Sequence, residues 1–125
     1  LTLLTETHID GAVIVTTGQD IALIDAHKGV TMFQRHQIPV LGVVGNMIGY
    51  HCPNCNHHDD IFGSNLLSLT EGRGLNQLGL VPLHKSIRVH ADIGKPVSRQ
   101  EQKFKDIFRD IAKSILARLT DARAI

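Results

Sequence analysis

Short runs of consecutive apolar residues alternate along this chain with stretches whose apolar positions recur at helical spacing. The first run is Gly11-Ala12-Val13-Ile14-Val15-Thr16. A continuous β-branched run of that length predicts a strand covered on both faces, as in a parallel sheet. Thr16-Thr17-Gly18 interrupts it. Over residues 20–36, Ala22, Ala26, Val30 and Phe33 fall on one face with Asp25, Lys28 and Arg35 interleaved, which predicts an amphipathic helix. Asp20 opens that helix, where its charge suits the helix dipole. Pro39 is expected to stop it, and Val40-Leu41-Gly42-Val43-Val44 begins a second buried strand. Together these make a strand–helix–strand crossover, for which the right-handed connection is expected.

Beyond Asn46 the pattern dissolves into a polar loop that holds the cysteines and several histidines within residues 47–63. Residues 64–76 have some helical character, weakened by Gly72 and Gly74. Leu78-Gly79-Leu80-Val81 predicts a third strand ended by Pro82, and a short helix is expected around Ser86–Ala91. The last helix is the clearest element: Ser98 is read as its N-cap, with Glu101 completing a capping box. Phe104, Ile107, Phe108, Ile111, Ile115 and Leu119 then form an apolar stripe read as core. The expected fold is α/β, three-layered around a mostly parallel sheet, with residues 1–125 as a single domain. Three parallel strands leave two open edges, so the chain is expected either to dimerise or to be part of a larger sheet.

Composition narrows the possibilities. The 125 residues are 42% hydrophobic and 20% charged with a net charge of +1, an ordinary globular balance with no broad basic surface for nucleic acid. Aromatics are scarce, with four Phe, one Tyr and no Trp, which weakens any base-stacking reading. No apolar run is long enough to span a bilayer, and no signal sequence opens the chain, so a cytoplasmic location without membrane attachment is expected.

The strongest chemical signal is His51-Cys52-Pro53-Asn54-Cys55-Asn56-His57-His58. Two thiolates separated by two residues can chelate one metal ion or two irons of a cluster. These are the only cysteines, so a four-ligand site lacks half its donors. Four readings are open: a site completed by a second copy of the chain, a zinc site completed by His57 or His58, a thioredoxin-like redox pair, and plain structural cysteines. A redox pair usually opens a helix, whereas this one sits in a polar loop. His8, His27, His36, His84 and His90 are scattered and read as exposed or helix-surface residues. There is no GxxxxGK[ST] or GxGxxG, and no carboxylate spacing marks an acid–base pair. Asn46, at the carboxyl end of the second strand, lies where ligands bind in open α/β sheets, although a turn role is the more ordinary one.

At this point the residues resemble a known family. Gly11 through Thr17, Gln19 through Ala26 and Lys28-Gly29 are similar to the central stretch of the Mrp/ApbC iron–sulfur carrier P-loop ATPases. Ile38 through Val44, Asn46-Met47, the Cys52–Cys55 pair, His57, Asp60 through Gly63, Leu78-Gly79, Val81-Pro82-Leu83 and Gly94-Lys95-Pro96 continue the likeness in order. The resemblance implies the C-terminal part of a deviant Walker A P-loop fold. It implies a homodimer that holds a [4Fe-4S] cluster through Cys52 and Cys55 of each subunit and passes it to apo iron–sulfur proteins. By the same resemblance ATP and magnesium would act in the full-length protein, and Asn46, Pro82 and Leu83 would lie at the adenine. The family's phosphate loop and magnesium-holding acids would lie upstream of Leu1, so this chain alone is expected not to hydrolyse ATP. Gly18, Gly45 and His84 stand where the family usually has Pro, Glu and Asp.

Overall fold

The computed structural model describes residues 2–123. The elements in chain order are α1 (Thr2–Glu6), β1 (Ala12–Thr16), α2 (Asp20–Arg35), β2 (Val40–Gly45), β3 (Tyr50–His51), β4 (His58–Asp59), α3 (Leu67–Thr70), β5 (Gln77–Leu80), α4 (Lys85–Asp92) and α5 (Gln102–Arg123). Strands β1, β2 and β5 form one parallel sheet in that spatial order, so β2 is central. The expected crossover is present as β1–α2–β2. The short helix α1 was not anticipated.

Side chains on one face of the sheet meet α2 and α3. Ile14, Ala26, Val30, Val43 and Leu69 form that core, and Leu23 and Phe33 pack around it. On the other face, Val44, Leu78 and Val81 pack with Ile111 of α5, joined by Ile107 and Ile115. Helices on both faces give the three layers that the sequence predicts. α5 lies close to β5 because Gly79 leaves room: a Cβ there would stand 2.4 Å from Cγ1 of Ile111.

Three expectations are corrected. Coverage of the first strand on both faces fails at Val15, which is 61% exposed. β1 is an edge strand, and α5 packs over β2 and β5 instead. Ser98 does not cap the last helix; it lies inside a 3-10 turn, Val97–Arg99, and α5 starts only at Gln102. Glu101 directs its carboxylate toward His90, at 3.8 Å, rather than back to a capping residue. Phe108, counted in the apolar stripe, is 38% exposed while Phe104 is fully buried. Ile107, Ile111 and Ile115 are the stripe residues that pack with the strands, and Phe108 lies outside that set.

Helix α2 also stops before Pro39. Gln37 adopts a left-handed φ of 59°, and the Ile38 N–H reaches back to the Phe33 carbonyl at 2.9 Å. This six-to-one closure is a Schellman motif, so the helix terminates by its own backbone hydrogen bonds.

Candidate metal-binding hairpin

The loop predicted around the cysteines is a β-hairpin. Tyr50 pairs with Asp59 and His51 with His58 in antiparallel register, which places Cys52-Pro53-Asn54-Cys55 at the tip. The tip closes on itself: the Cys52 N–H donates to the His57 carbonyl at 2.9 Å, and the Asn56 N–H donates to the Cys52 carbonyl at 2.8 Å. Asn56 takes φ 59°, a conformation that Asn tolerates better than most residues. Two-residue strands carry too little periodicity for the hairpin to be read from sequence. Its local signal was the Asn-rich turn.

Both cysteines are free, Cys52 half-buried and Cys55 exposed. The backbone amides of Cys55 and Asn54 donate toward the Cys52 sulfur, followed by the Cys55 thiol, and lower the Cys52 pKa against a smaller opposing effect of burial. Amides aimed at sulfur favour the thiolate, the form that binds metal. The donor set therefore suits a soft metal or an iron–sulfur unit, with two ligands on one turn.

The neighbouring histidines do not complete the set. His58 is held by Asp60, Nε2 to Oδ1 at 3.2 Å, and its ring packs against His51 with centroids 4.8 Å apart. Among the described residues, no group of three or more His, Cys, Asp or Glu side chains is gathered closely enough to hold a metal ion. Among the described residues, a zinc site within one chain thus finds no third ligand gathered beside the cysteines. The pair also opens no helix, unlike the usual redox arrangement.

The hairpin is anchored at its base. The Ile48 N–H donates to the Val81 carbonyl, and the Leu83 N–H to the Gly49 carbonyl, both at 2.9 Å. The segment after β5 is thereby laid alongside the cysteine loop. Between hairpin, this segment and α5 runs an open groove of about 780 Å³, lined by Cys52, Pro82, Leu83, His84, Lys103 and Phe104 among others. On the far leg, Gly18 and Gly63 touch backbone to backbone, and a Cβ on Gly18 would stand 2.5 Å from the Gly63 carbonyl carbon. That approach explains why a glycine occupies position 18.

The three residues assigned to adenine by resemblance are split between two hollows. Pro82 and Leu83 line the cysteine groove. Asn46 lines a separate hollow of about 460 Å³ with Thr16, Thr17 and Asp25, at the carboxyl ends of β1 and β2. Its Oδ1 accepts the Met47 N–H at 3.0 Å, the local turn role that Asn often plays. The histidines read as scattered surface residues are also more engaged than expected. His27 sits between Arg73 and Ser68, and His84 caps α4 by accepting the Ser86 N–H at Nδ1. His84 and Lys103 line the same groove, which the sequence reading does not foresee for either. The capping position of His84, two residues before Ser86, was legible; the arrival of Lys103 depends on how α5 docks.

Comparison with known proteins shows the family and the fold. A ParA-type family model, described as NUBPL iron-transfer P-loop NTPase, matches residues 1–116. An iron–sulfur cluster carrier protein of Salmonella typhimurium is 48% identical over 122 residues, covering 95% of this chain and 33% of that protein. The iron–sulfur cluster transfer protein NUBPL of Dictyostelium discoideum is 42% identical, covering 92% of this chain and 38% of its own length. The chain thus spans about a third of the curated relatives it matches. Among solved structures, a nucleotide-binding protein of Archaeoglobus fulgidus in complex with ADP superposes with TM-score 0.58 at 31% identity, covering 69% of this chain and 36% of that one. The Pyrococcus furiosus cell division ATPase MinD superposes with TM-score 0.67 at 19% identity over 86% of this chain and 43% of its own, a likeness of fold.

Proposed function

We propose that this chain, which belongs to the NUBPL iron-transfer P-loop NTPase family, is the cysteine-bearing part of an iron–sulfur cluster carrier. The observation that carries the reading is the hairpin tip itself: two free thiols on one turn, one of them with its pKa lowered by the turn's backbone amides, and no third ligand gathered from the described residues. Half a four-thiolate site is completed most simply by the same half of a second copy. The cargo is then a [4Fe-4S] cluster bridging a homodimer, held by Cys52 and Cys55 from each subunit and handed to apo-proteins. Exposed Cys55 is the thiolate that an acceptor's thiol reaches first.

In the longer protein, nucleotide binding would be coupled to loading or release. Asn46 stands at the strand ends where α/β folds take ligands, which supports a role beside the base, whereas Pro82 and Leu83 line the separate cysteine groove and lend that role no support. The phosphate-binding and magnesium-binding parts belong to the remainder of such a protein, and ATP hydrolysis is proposed for that whole and not for this chain.

Anaerobic reconstitution with iron and sulfide tests the carrier reading. The expected outcome is a broad visible absorption band, roughly two irons per chain by the four-thiolate logic of such clusters, and a dimer by sedimentation. Cys52→Ser and Cys55→Ser should each abolish both the band and the dimer. One tightly held zinc per monomer, with no cluster taken up, would instead identify a zinc-stabilised module.

A further inference from the structure

The groove beside the hairpin holds two donors with no acceptor between them. His84 Nδ1 accepts the Ser86 N–H at 3.0 Å. A neutral imidazole that accepts at Nδ1 carries its proton on Nε2. That nitrogen faces Lys103 Nζ at 3.3 Å, and an ammonium can only donate. The ring cannot accept at both nitrogens, so this contact is two N–H donors brought together. The Lys103 ammonium is also held over the Phe104 ring, 5.0 Å from its centroid, and the His84 ring packs edge-on against Phe104 at 5.1 Å. Among the described residues, no ion pair neutralises Lys103, and the groove lining that it shares with Cys52 contains no carboxylate. An anion is the ligand that such a corner lacks.

We infer that Lys103, with the Nε2–H of His84 beside it, is a counter-charge for the anionic cargo held at Cys52. The inference rests on the carrier reading. Four thiolates outweigh the positive charge of a cubane core, so the loaded site is an anion whose net charge and hydrogen bonds set its potential. A fixed cation in the adjoining groove stabilises that anion, and stabilises its one-electron-reduced form more, because the added electron increases the attraction. Lys103 therefore slows loss of the cluster and raises its reduction potential. It is a positioning charge, not an iron ligand.

The test compares the reconstituted full chain with Lys103→Gln, Lys103→Glu, Lys103→Arg and His84→Asn. Asn at position 84 keeps an N-cap acceptor while removing the ring N–H. The readouts are the rate at which an iron chelator bleaches the visible band and the midpoint potential from a dye-mediated titration. Lys103→Gln should bleach several-fold faster with a more negative potential, and Lys103→Glu faster still. Lys103→Arg should stay near wild type, and His84→Asn should shift the same way as Lys103→Gln but less. Lys103 is exposed, so its variants should share the wild-type circular dichroism. If the wild type loads normally and both Lys103→Gln and Lys103→Glu match it in rate and potential, the inference is overturned while the carrier reading stands. A wild type that takes up no cluster overturns the carrier reading, and this inference with it.

Discussion

At the scale of single residues, the hairpin tip makes a prediction about Cys52 before any metal is added. Amide donation from Cys55 and Asn54 holds its thiol below the ordinary range. Alkylation of the apo chain across a pH series, read by mass spectrometry, should give a Cys52 midpoint below that of the same chain unfolded in urea. Cys55→Ser should recover only a small part of the difference, since the Cys55 thiol contributes less than the backbone amides. Coincident midpoints in the folded and unfolded chains would remove the amide argument. The sign for stability follows from linkage. A thiol whose folded pKa is lowered contributes stability above its unfolded pKa, and that contribution disappears as pH falls through the folded value. The two cysteines were legible from spacing alone. The amides that activate one of them were not, because they depend on the turn closing through Asn56 at positive φ. Lys103 was invisible for a similar reason: it lies nineteen positions beyond His84, and only packing brings the two to 3.3 Å.

At the scale of elements, strong periodic segments were read correctly and their ends less so. The crossover, the three strands of the parallel sheet and the long C-terminal helix follow from runs of apolar residues that leave few alternatives. Where the reading failed, a local backbone solution outcompeted a side-chain signal. Ser98 offers a good capping hydroxyl, but Pro96 leads into a 3-10 turn that satisfies the same backbone amides through Val97. Glycines show how the elements pack, and two of them give opposite expectations. Gly79→Ala would drive its Cβ to within 2.4 Å of Ile111 and should push α5 from the sheet, at a cost of about 1–3 kcal/mol. Gly29 lies inside α2, where an added Cβ meets only Ile14 Cδ1 at 3.7 Å. Gly29→Ala should therefore stabilise the chain by roughly 0.5–1 kcal/mol, by restricting the unfolded backbone and improving helix propensity. Urea unfolding of the two variants checks both signs. A Gly79→Ala chain as stable as wild type would mean that α5 docks more loosely than Ile111 implies.

At the scale of the molecule, one sheet edge and one hairpin tip predict two kinds of self-association that experiment can separate. β1 is flanked on one side only, and Val15 projects from it 61% exposed. An apolar edge strand is a template for pairing with another chain, and nothing about that pairing requires metal. The sequence already implied open edges for a three-stranded parallel sheet; it could not say which strand would be central, because all three runs read as equally apolar. The cysteine tip predicts a different contact, formed only when a cluster supplies the bridge. In sedimentation velocity, the apo chain should associate weakly and progressively with concentration, and Val15→Lys should reduce that association by placing a charge beside the open edge. The same Val15→Lys chain, reconstituted with iron and sulfide, should still form a discrete dimer, and Cys52→Ser should not. A Val15→Lys chain that neither loads cluster nor dimerises would show that the strand edge, rather than the hairpin, joins the two copies, whereas one that loads cluster but remains monomeric would show that the two thiolates of one chain suffice and would overturn the bridging arrangement.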